Sequence, residues 1–106
     1  MSLSTHVLDA VSGRPAAGIT VTLTDAVGVA VIAAATDDDG RVAKLGDALP
    51  AGIYRLHFDT GSYFAGLDIP TFYPEIVVAF EITDADGTYH VPVLLSPYAY
   101  STYRGS

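Results

Sequence analysis

Apolar and polar residues alternate with a period of two along most of this chain, the pattern of strands that bury one face. In Ile19–Thr24, three apolar residues alternate with three threonines. Ile53–Phe58 and Ile76–Ile82 alternate in the same way. A chain made of such strands must cover their apolar faces with a second layer, so the pattern favours an all-β sandwich.

The alternation predicts about eight strands, which turn residues separate at short intervals. The strands are Thr5–Leu8, Ile19–Thr24, Val29–Thr36, Arg41–Lys44, Ile53–Phe58, Ile76–Ile82, His90–Leu95 and Ala99–Tyr103. The turns are Ser12–Pro15, Asp39–Gly40, Pro50–Gly52 and Asp84–Gly87. Pro92 lies inside a strand, which predicts an edge strand or an N–H position turned away from its neighbour. Strands joined by hairpin-type turns predict antiparallel pairing.

One segment, Thr60–Leu67, breaks the alternation and predicts a short helix or a loop. Its two glycines disfavour a stable helix. No linker or repeat divides the chain, and 106 residues suit one domain. We therefore expect a single domain over residues 1–106.

The composition is apolar for so small a domain. Half of the residues are hydrophobic and the mean hydropathy is +0.37, whereas a small domain has much surface to cover with polar groups. No apolar run is long enough to cross a bilayer, so a membrane partner is not expected. The excess predicts that some apolar surface meets another subunit.

Charge and cysteine content exclude other classes of protein. A net charge of −7 argues against nucleic-acid binding, which needs a basic surface. The chain has no cysteine for disulfides or thiolate metal sites, and its histidines lack metal-site spacing. Asp37–Gly40 predicts a solvated turn, since the spacing of a calcium loop is missing. No signal-peptide pattern opens the sequence, so a cytoplasmic location is expected.

The candidate functional residues lie in three segments and include His6, Arg41 and His90. Taken singly, each has a structural explanation: the histidines as surface or interface residues, and Arg41 as a solvated cation beside aspartates. His57 is interpreted as an exposed strand residue. No Ser-His-Asp order or Gly-x-Ser-x-Gly motif is present. Chemistry therefore requires that these residues converge in space.

The chain ends on Tyr103-Arg104-Gly105-Ser106, which is unusually rich in functional groups for a terminus. A frayed tail rarely carries three tyrosines and an arginine within seven residues. Taken singly, Arg104 could pair with an acidic neighbour and Ser106 could be disordered. Together, these residues predict that this end packs into an interface or lines a site.

These segments resemble the transthyretin-related proteins over nearly the whole chain. The resemblance rests on Ser4–Asp9 with Gly13–Ala16, Thr36–Arg41, Phe72–Glu75, Tyr89–Pro97 and Tyr100–Ser106. The closing Tyr-Arg-Gly-Ser is the most specific, because it marks the 5-hydroxyisourate hydrolases of the family and is absent from its hormone carriers. Departures are Thr88, Val93 and Ala99, where the family often has histidine, leucine and glycine.

The resemblance implies a fold, an assembly and an activity. The fold is a transthyretin-like sandwich of two four-stranded sheets with one short helix. The assembly is a homotetramer whose sites lie in a channel at the dimer–dimer interface. The reaction is hydrolytic ring opening of 5-hydroxyisourate to 2-oxo-4-hydroxy-4-carboxy-5-ureidoimidazoline in urate degradation, without metal or organic cofactor.

The resemblance also implies site residues. The catalytic set is His6, Arg41, His90 and Ser106, and the substrate-binding set is His6, Arg41, Tyr103 and Arg104. Histidine exchanges protons near neutral pH, and arginine offers a planar fork of donors that suits an oxygen-rich ring. Which histidine is the base stays open at this point.

Two other functions remain possible on the sequence. A transthyretin-like carrier of a small, hormone-type ligand would share the fold, although polar His6, Arg41 and His90 suit a hydrophobic ligand poorly. A structural sandwich module attached to other proteins is the second, and a monomeric state would favour it.

Overall fold

The computed structural model describes residues 1–106, which form nine strands and one helix. In chain order these are β1 (Ser2–Asp9), β2 (Arg14–Pro15), β3 (Thr20–Asp25), β4 (Ala30–Ala35), β5 (Arg41–Val42), β6 (Gly52–Phe58), α1 (Thr60–Gly66), β7 (Ile76–Ile82), β8 (Thr88–Ser96) and β9 (Ala99–Thr102). The predicted all-β sandwich with one short helix is confirmed.

The strands form two sheets. A five-stranded sheet has the order β2-β1-β8-β9, with β5 also paired to β1, and a four-stranded sheet has the order β4-β3-β6-β7. Nineteen buried hydrophobic residues form the core. The alternation places them there: Val21 and Leu23 of β3 are fully buried, whereas Thr22 between them faces outward.

The topology differs from the prediction in two respects. Strands β1 and β8 run parallel, so the sandwich is not antiparallel throughout. One sheet has five strands because Arg14–Pro15, predicted as part of a turn, pairs with the end of β1. The predicted strand Arg41–Lys44 is shorter, since the chain leaves the sheet after Val42 and buries Leu45.

Of the two predictions for Pro92, the edge strand is wrong, whereas a position without a partner for its N–H agrees with the structure. Strand β8 pairs with β1 on one side and β9 on the other. The β8–β9 pairing runs from Ser96 to Val93 and returns as an isolated bridge between His90 and Gly105. Pro92 falls in this gap, where it has no N–H to donate, and Thr102 Oγ1 donates to its carbonyl instead at 2.8 Å.

Helix α1 forms despite its two glycines. The Asp59 carboxylate accepts a hydrogen bond from the Ser62 N–H at 3.3 Å and caps the first turn. A side chain at Gly61 would overlap the Pro74 carbonyl, which accounts for glycine there. Phe64 packs into the core, so tertiary contacts outweigh the weak helix propensity. The helix has seven residues and is too short to span a membrane.

Candidate active site

The candidate site lies on the outer face of the five-stranded sheet, which is the side turned away from the core. In β1, Leu3, Thr5 and Val7 are buried, so the alternation turns Ser4 and His6 outward. His90 has the same orientation in β8, between buried Tyr89 and Val91. The outer face carries Ser2, Ser4 and His6 of β1, Arg41 of β5, and Thr88 and His90 of β8.

Strand register brings the three predicted polar residues together. His6 lies directly opposite Arg41, and Ser4 lies directly opposite His90. Neighbouring strands are about 4.8 Å apart. Two strand spacings and a two-residue offset therefore put the main chains of Arg41 and His90 about 12 Å apart, and the charge of Arg41 lowers the pKa of His90. Residues that are 84 positions apart in the chain, His6 and His90, thus share one small surface.

The turn Asp37–Arg41 positions Arg41 and His6. One Asp37 carboxylate oxygen accepts hydrogen bonds from the Asp39 and Arg41 N–H groups, each at 2.9 Å. Gly40 has φ +74°, and a side chain there would overlap the Val7 carbonyl, so only glycine fits. The predicted solvated turn is therefore confirmed, and it also shapes the site.

His6 is oriented by the same turn. Its Nε2 donates to the Asp39 carbonyl at 2.8 Å. A carbonyl oxygen only accepts, so in neutral His6 the proton is on Nε2 and the lone pair is on Nδ1. The nitrogen of neutral His6 that can accept a hydrogen bond is therefore Nδ1.

Arg41 is exposed and has no acidic partner. The ion pairs of the molecule are Lys44–Asp47 and His57–Glu75, and neither includes Arg41. The Asp37 carboxylate binds the Arg41 main-chain N–H, not its guanidinium. Arg41 is thus a solvated cation beside the aspartates, as its structural explanation predicts, and the guanidinium is also available for a ligand.

His90 is held from two sides and has a lowered pKa. Its Nδ1 lies 2.8 Å from Ser4 Oγ, and its carbonyl accepts a hydrogen bond from the Gly105 N–H at 2.8 Å. Burial is the largest cause that lowers the pKa of His90, followed by the charge of Arg41, while His6 adds a smaller effect. A hydrogen bond with the Ser4 main chain opposes the shift. At neutral pH the imidazole is uncharged and can accept a proton.

The C-terminal tail runs along β8. Gly105 forms the bridge to His90, and the Arg104 guanidinium lies 4.8 Å from the centre of the Tyr89 ring. Arg104 Nη2 also donates to the Thr88 carbonyl at 3.4 Å. Tyr103 is 58% exposed and Ser106 is exposed as well. Arg104 therefore forms no ion pair with an acidic residue, and the tail presents Tyr103 and Ser106 to solvent.

A pocket of about 300 Å³ opens between the tail and β7. Phe80, Glu81, Tyr89, His90, Tyr103 and Arg104 are among its lining residues. His6 and Arg41 lie outside this pocket. His90 is the residue that belongs both to the pocket lining and to the group of polar side chains on the outer face. The titratable groups that lower the pKa of His90, Arg41 and His6, lie on the outer face. That face is therefore a better candidate for the catalytic site than the pocket.

His57 lies apart from the candidate site. It belongs to β6 of the four-stranded sheet, where its Nε2 contacts the Glu75 carboxylate at 2.9 Å. The interpretation of His57 as an exposed strand residue agrees with this position.

Sequence reasoning did not predict two residues that contact the candidate site. Ser4 bonds His90, and Tyr89 supports Arg104. The Tyr89 hydroxyl also accepts hydrogen bonds from the Thr83 and Asp84 N–H groups and contacts the Thr83 hydroxyl at 3.5 Å. These contacts lower the pKa of Tyr89, and the Thr83 side chain has the largest effect. Period two places Ser4 on the face of His6, so this signal was present in the sequence. Nothing in the sequence pairs Arg104 with Tyr89.

Comparison with known proteins assigns the family. The model of the HIUase/Transthyretin family matches residues 3–105. The chain belongs to this family. A curated relative named 5-hydroxyisourate hydrolase, from Salmonella dublin, is 46% identical, and the match covers 98% of this chain and 80% of the relative.

Solved structures include both branches of the HIUase/Transthyretin family. The 5-hydroxyisourate hydrolase of Klebsiella pneumoniae superposes with a TM-score of 0.93 at 39% identity, and the match covers 100% of both chains. Transthyretin from Sparus aurata superposes with a TM-score of 0.91 at 31% identity, covering 98% of this chain and 96% of that one. The shared fold does not separate the two activities, so the site residues must.

Proposed function

We propose that this protein hydrolyses 5-hydroxyisourate in urate degradation, and that residues 1–106 form one hydrolase domain. The observation that carries the proposal is the convergence of His6, Arg41 and His90 on the outer face, beside the tail. Hydrolysis of a cyclic amide needs an activated water, a cation for the developing oxyanion and a proton donor for the departing nitrogen. These three residues supply all three functions.

His90 is the general base in this proposal. Its lowered pKa keeps the imidazole neutral at pH 7, so it can take a proton from water while the water oxygen bonds to the ring carbonyl carbon. When the tetrahedral intermediate collapses, the carbon–nitrogen bond breaks and protonated His90 returns the proton to the nitrogen. His6 orients the water through Nδ1, because its Nε2–H is bound to Asp39.

Arg41 and the tail bind the substrate. The unpaired Arg41 guanidinium holds the oxygen-rich ring and stabilises the oxyanion, and its local charge offsets the repulsion that a net charge of −7 exerts on an anion. Tyr103 contacts the ring and Ser106 completes the site. Arg104 helps to bind substrate by holding the tail on Tyr89. The scheme uses no metal or organic cofactor.

The proposal includes a homotetramer in the cytoplasm. As one chain the outer face is open, and it leaves Leu94 more than a third exposed, which favours a second subunit that covers it and excludes water. Sedimentation velocity tests the assembly, with a tetramer expected and a monomer contradicting it. Cell fractionation of the native host tests the location.

An ultraviolet time course with 5-hydroxyisourate, freshly made from urate by urate oxidase, tests the activity. We expect decay well above the spontaneous rate. Decay at the spontaneous rate by folded protein would contradict the proposal. Tight binding of an aromatic hormone in that case would instead support a transthyretin-like carrier. The similar structure for that alternative is the transthyretin of Sparus aurata.

A further inference from the structure

Ser4 makes the one side-chain hydrogen bond to the His90 ring. Its Oγ lies 2.8 Å from Nδ1. The two residues are direct partners across the parallel β1–β8 pairing, so both main chains are fixed by the sheet. A short side chain such as serine has little freedom there, and the contact therefore defines how the ring is turned.

We propose that Ser4 is a positioning residue, whose hydroxyl holds the Nδ1–H of His90 and so leaves Nε2 as the free, proton-accepting nitrogen. This inference rests on the proposed hydrolase function, in which His90 is the base. Ser4 itself contacts no reacting atom in the scheme. It acts through the ring that it holds.

The direction of the hydrogen bond follows from the acceptors around Nδ1. A serine hydroxyl can donate or accept, so the 2.8 Å distance alone does not fix the proton. The backbone of Ser4 is one of the groups that act to raise the pKa of His90, as a nearby carbonyl acceptor does. An acceptor on this side of the ring favours a proton on Nδ1, and the Ser4 hydroxyl then accepts from it. The lone pair of neutral His90 is then on Nε2.

Removing the hydroxyl has two expected consequences. The ring gains freedom to rotate and to place its proton on either nitrogen, which lowers the fraction that is ready to act as a base. The protonated ring also loses an acceptor, so the pKa of His90 falls. The other charged or titratable groups near His90 are Arg41 on β5 and His6 on β1, which lower its pKa, and Glu81 on β7 with Tyr103 and Arg104 on the tail, which line the same pocket. Ser4→Ala leaves all of them in place.

The test compares Ser4→Ala and Ser4→Thr with Ser2→Ala as matched control. Ser2 lies on the same strand and face, and its side chain has no hydrogen-bond partner. For Ser4→Ala we expect kcat/KM to fall roughly 10- to 100-fold and the acid limb of its pH profile to move to lower pH. Ser4→Thr, which keeps the hydroxyl, should restore both. Ser2→Ala should match the wild type.

Nitrogen-15 NMR of the His90 ring provides a readout that needs no substrate. The wild type should show the Nδ1–H tautomer, and Ser4→Ala should show a mixture and a lower pKa. The inference is overturned if the ring shifts and pH profile of Ser4→Ala equal those of the wild type, or if the acid limb moves to higher pH. A protein that shows the tautomer change but no turnover would disprove the proposed hydrolase and leave the Ser4–His90 contact established.

Discussion

Gly105 lies directly against the imidazole ring of His90. A methyl group at Gly105 would overlap Cδ2 of the ring and approach its Cγ to 3.1 Å and its Cβ to 3.3 Å. The Gly105 N–H also donates to the His90 carbonyl at 2.8 Å. The tail is thus packed on the catalytic histidine of the proposal, and glycine is required because no other residue leaves room.

The first prediction concerns this contact. Gly105→Ala should push the tail away from His90 or turn the ring, and it should lower kcat/KM about 10- to 100-fold because a displacement of about 1 Å suffices for such a loss. The melting temperature should change little, since Gly105 lies outside the core. Gly66→Ala is the matched control, because nothing lies within 4 Å of its added methyl group. Equal rates for both variants would disprove the role of the contact.

The second prediction concerns pH. Because the pKa of His90 is lowered and the base must be neutral, activity should fall with decreasing pH only below about 6.5, the ordinary histidine value. Arg41→Gln removes a positive charge that lowers this pKa, so the acid limb should move to higher pH. Lys44→Gln removes a cation that is paired with Asp47 and should leave the limb unchanged. If the midpoint of the acid limb in the wild type lies above pH 6.5, His90 is excluded as the base.

The third prediction separates two roles of Arg104. If Arg104 only holds the tail on Tyr89, Arg104→Ala should lower kcat/KM about two- to fivefold, because an exposed cation–π contact is weak. The tail should then become more sensitive to carboxypeptidase. Arg55→Ala, which removes an exposed strand arginine on the other sheet, is the control. A loss of 100-fold with an intact tail would show direct contact with substrate.

The fourth prediction concerns His57. Its contact with the Glu75 carboxylate is exposed and lies on the other sheet, and even as an ion pair such a contact contributes about 0–1 kcal/mol to stability. His57→Ala should therefore keep kcat/KM within about twofold of the wild type and unfold at nearly the same urea concentration. A large loss of turnover would show that the site extends to the four-stranded sheet.

The strands were predictable because their signal is local. Period two in Ile19–Thr24 reports which side chains face the core, and burial of Val21 and Leu23 agrees with it. The same period places Ser4 and His6 on one face. Pairing was not predictable in this way, since register and the parallel β1–β8 contact join segments more than 80 residues apart.

The assembly of the site was likewise not predictable from local sequence patterns. His6, Arg41 and His90 each had an ordinary structural explanation, and only strand order places them together. The two alternatives for Pro92 could not be separated from the sequence, because the gap in the β8–β9 pairing depends on where the tail returns. The tail itself was predicted to pack, but its contacts with His90 and Tyr89 depend on tertiary geometry.

The central claim is that His6, Arg41 and His90 act together on 5-hydroxyisourate. Its most direct test is kcat/KM for His6→Ala, Arg41→Gln and His90→Ala beside the wild type, with folding and assembly checked by circular dichroism and sedimentation. We predict that each histidine variant loses about 10²- to 10⁴-fold, and that Arg41→Gln loses a comparable factor. Turnover at the wild-type rate by folded His90→Ala would contradict the account.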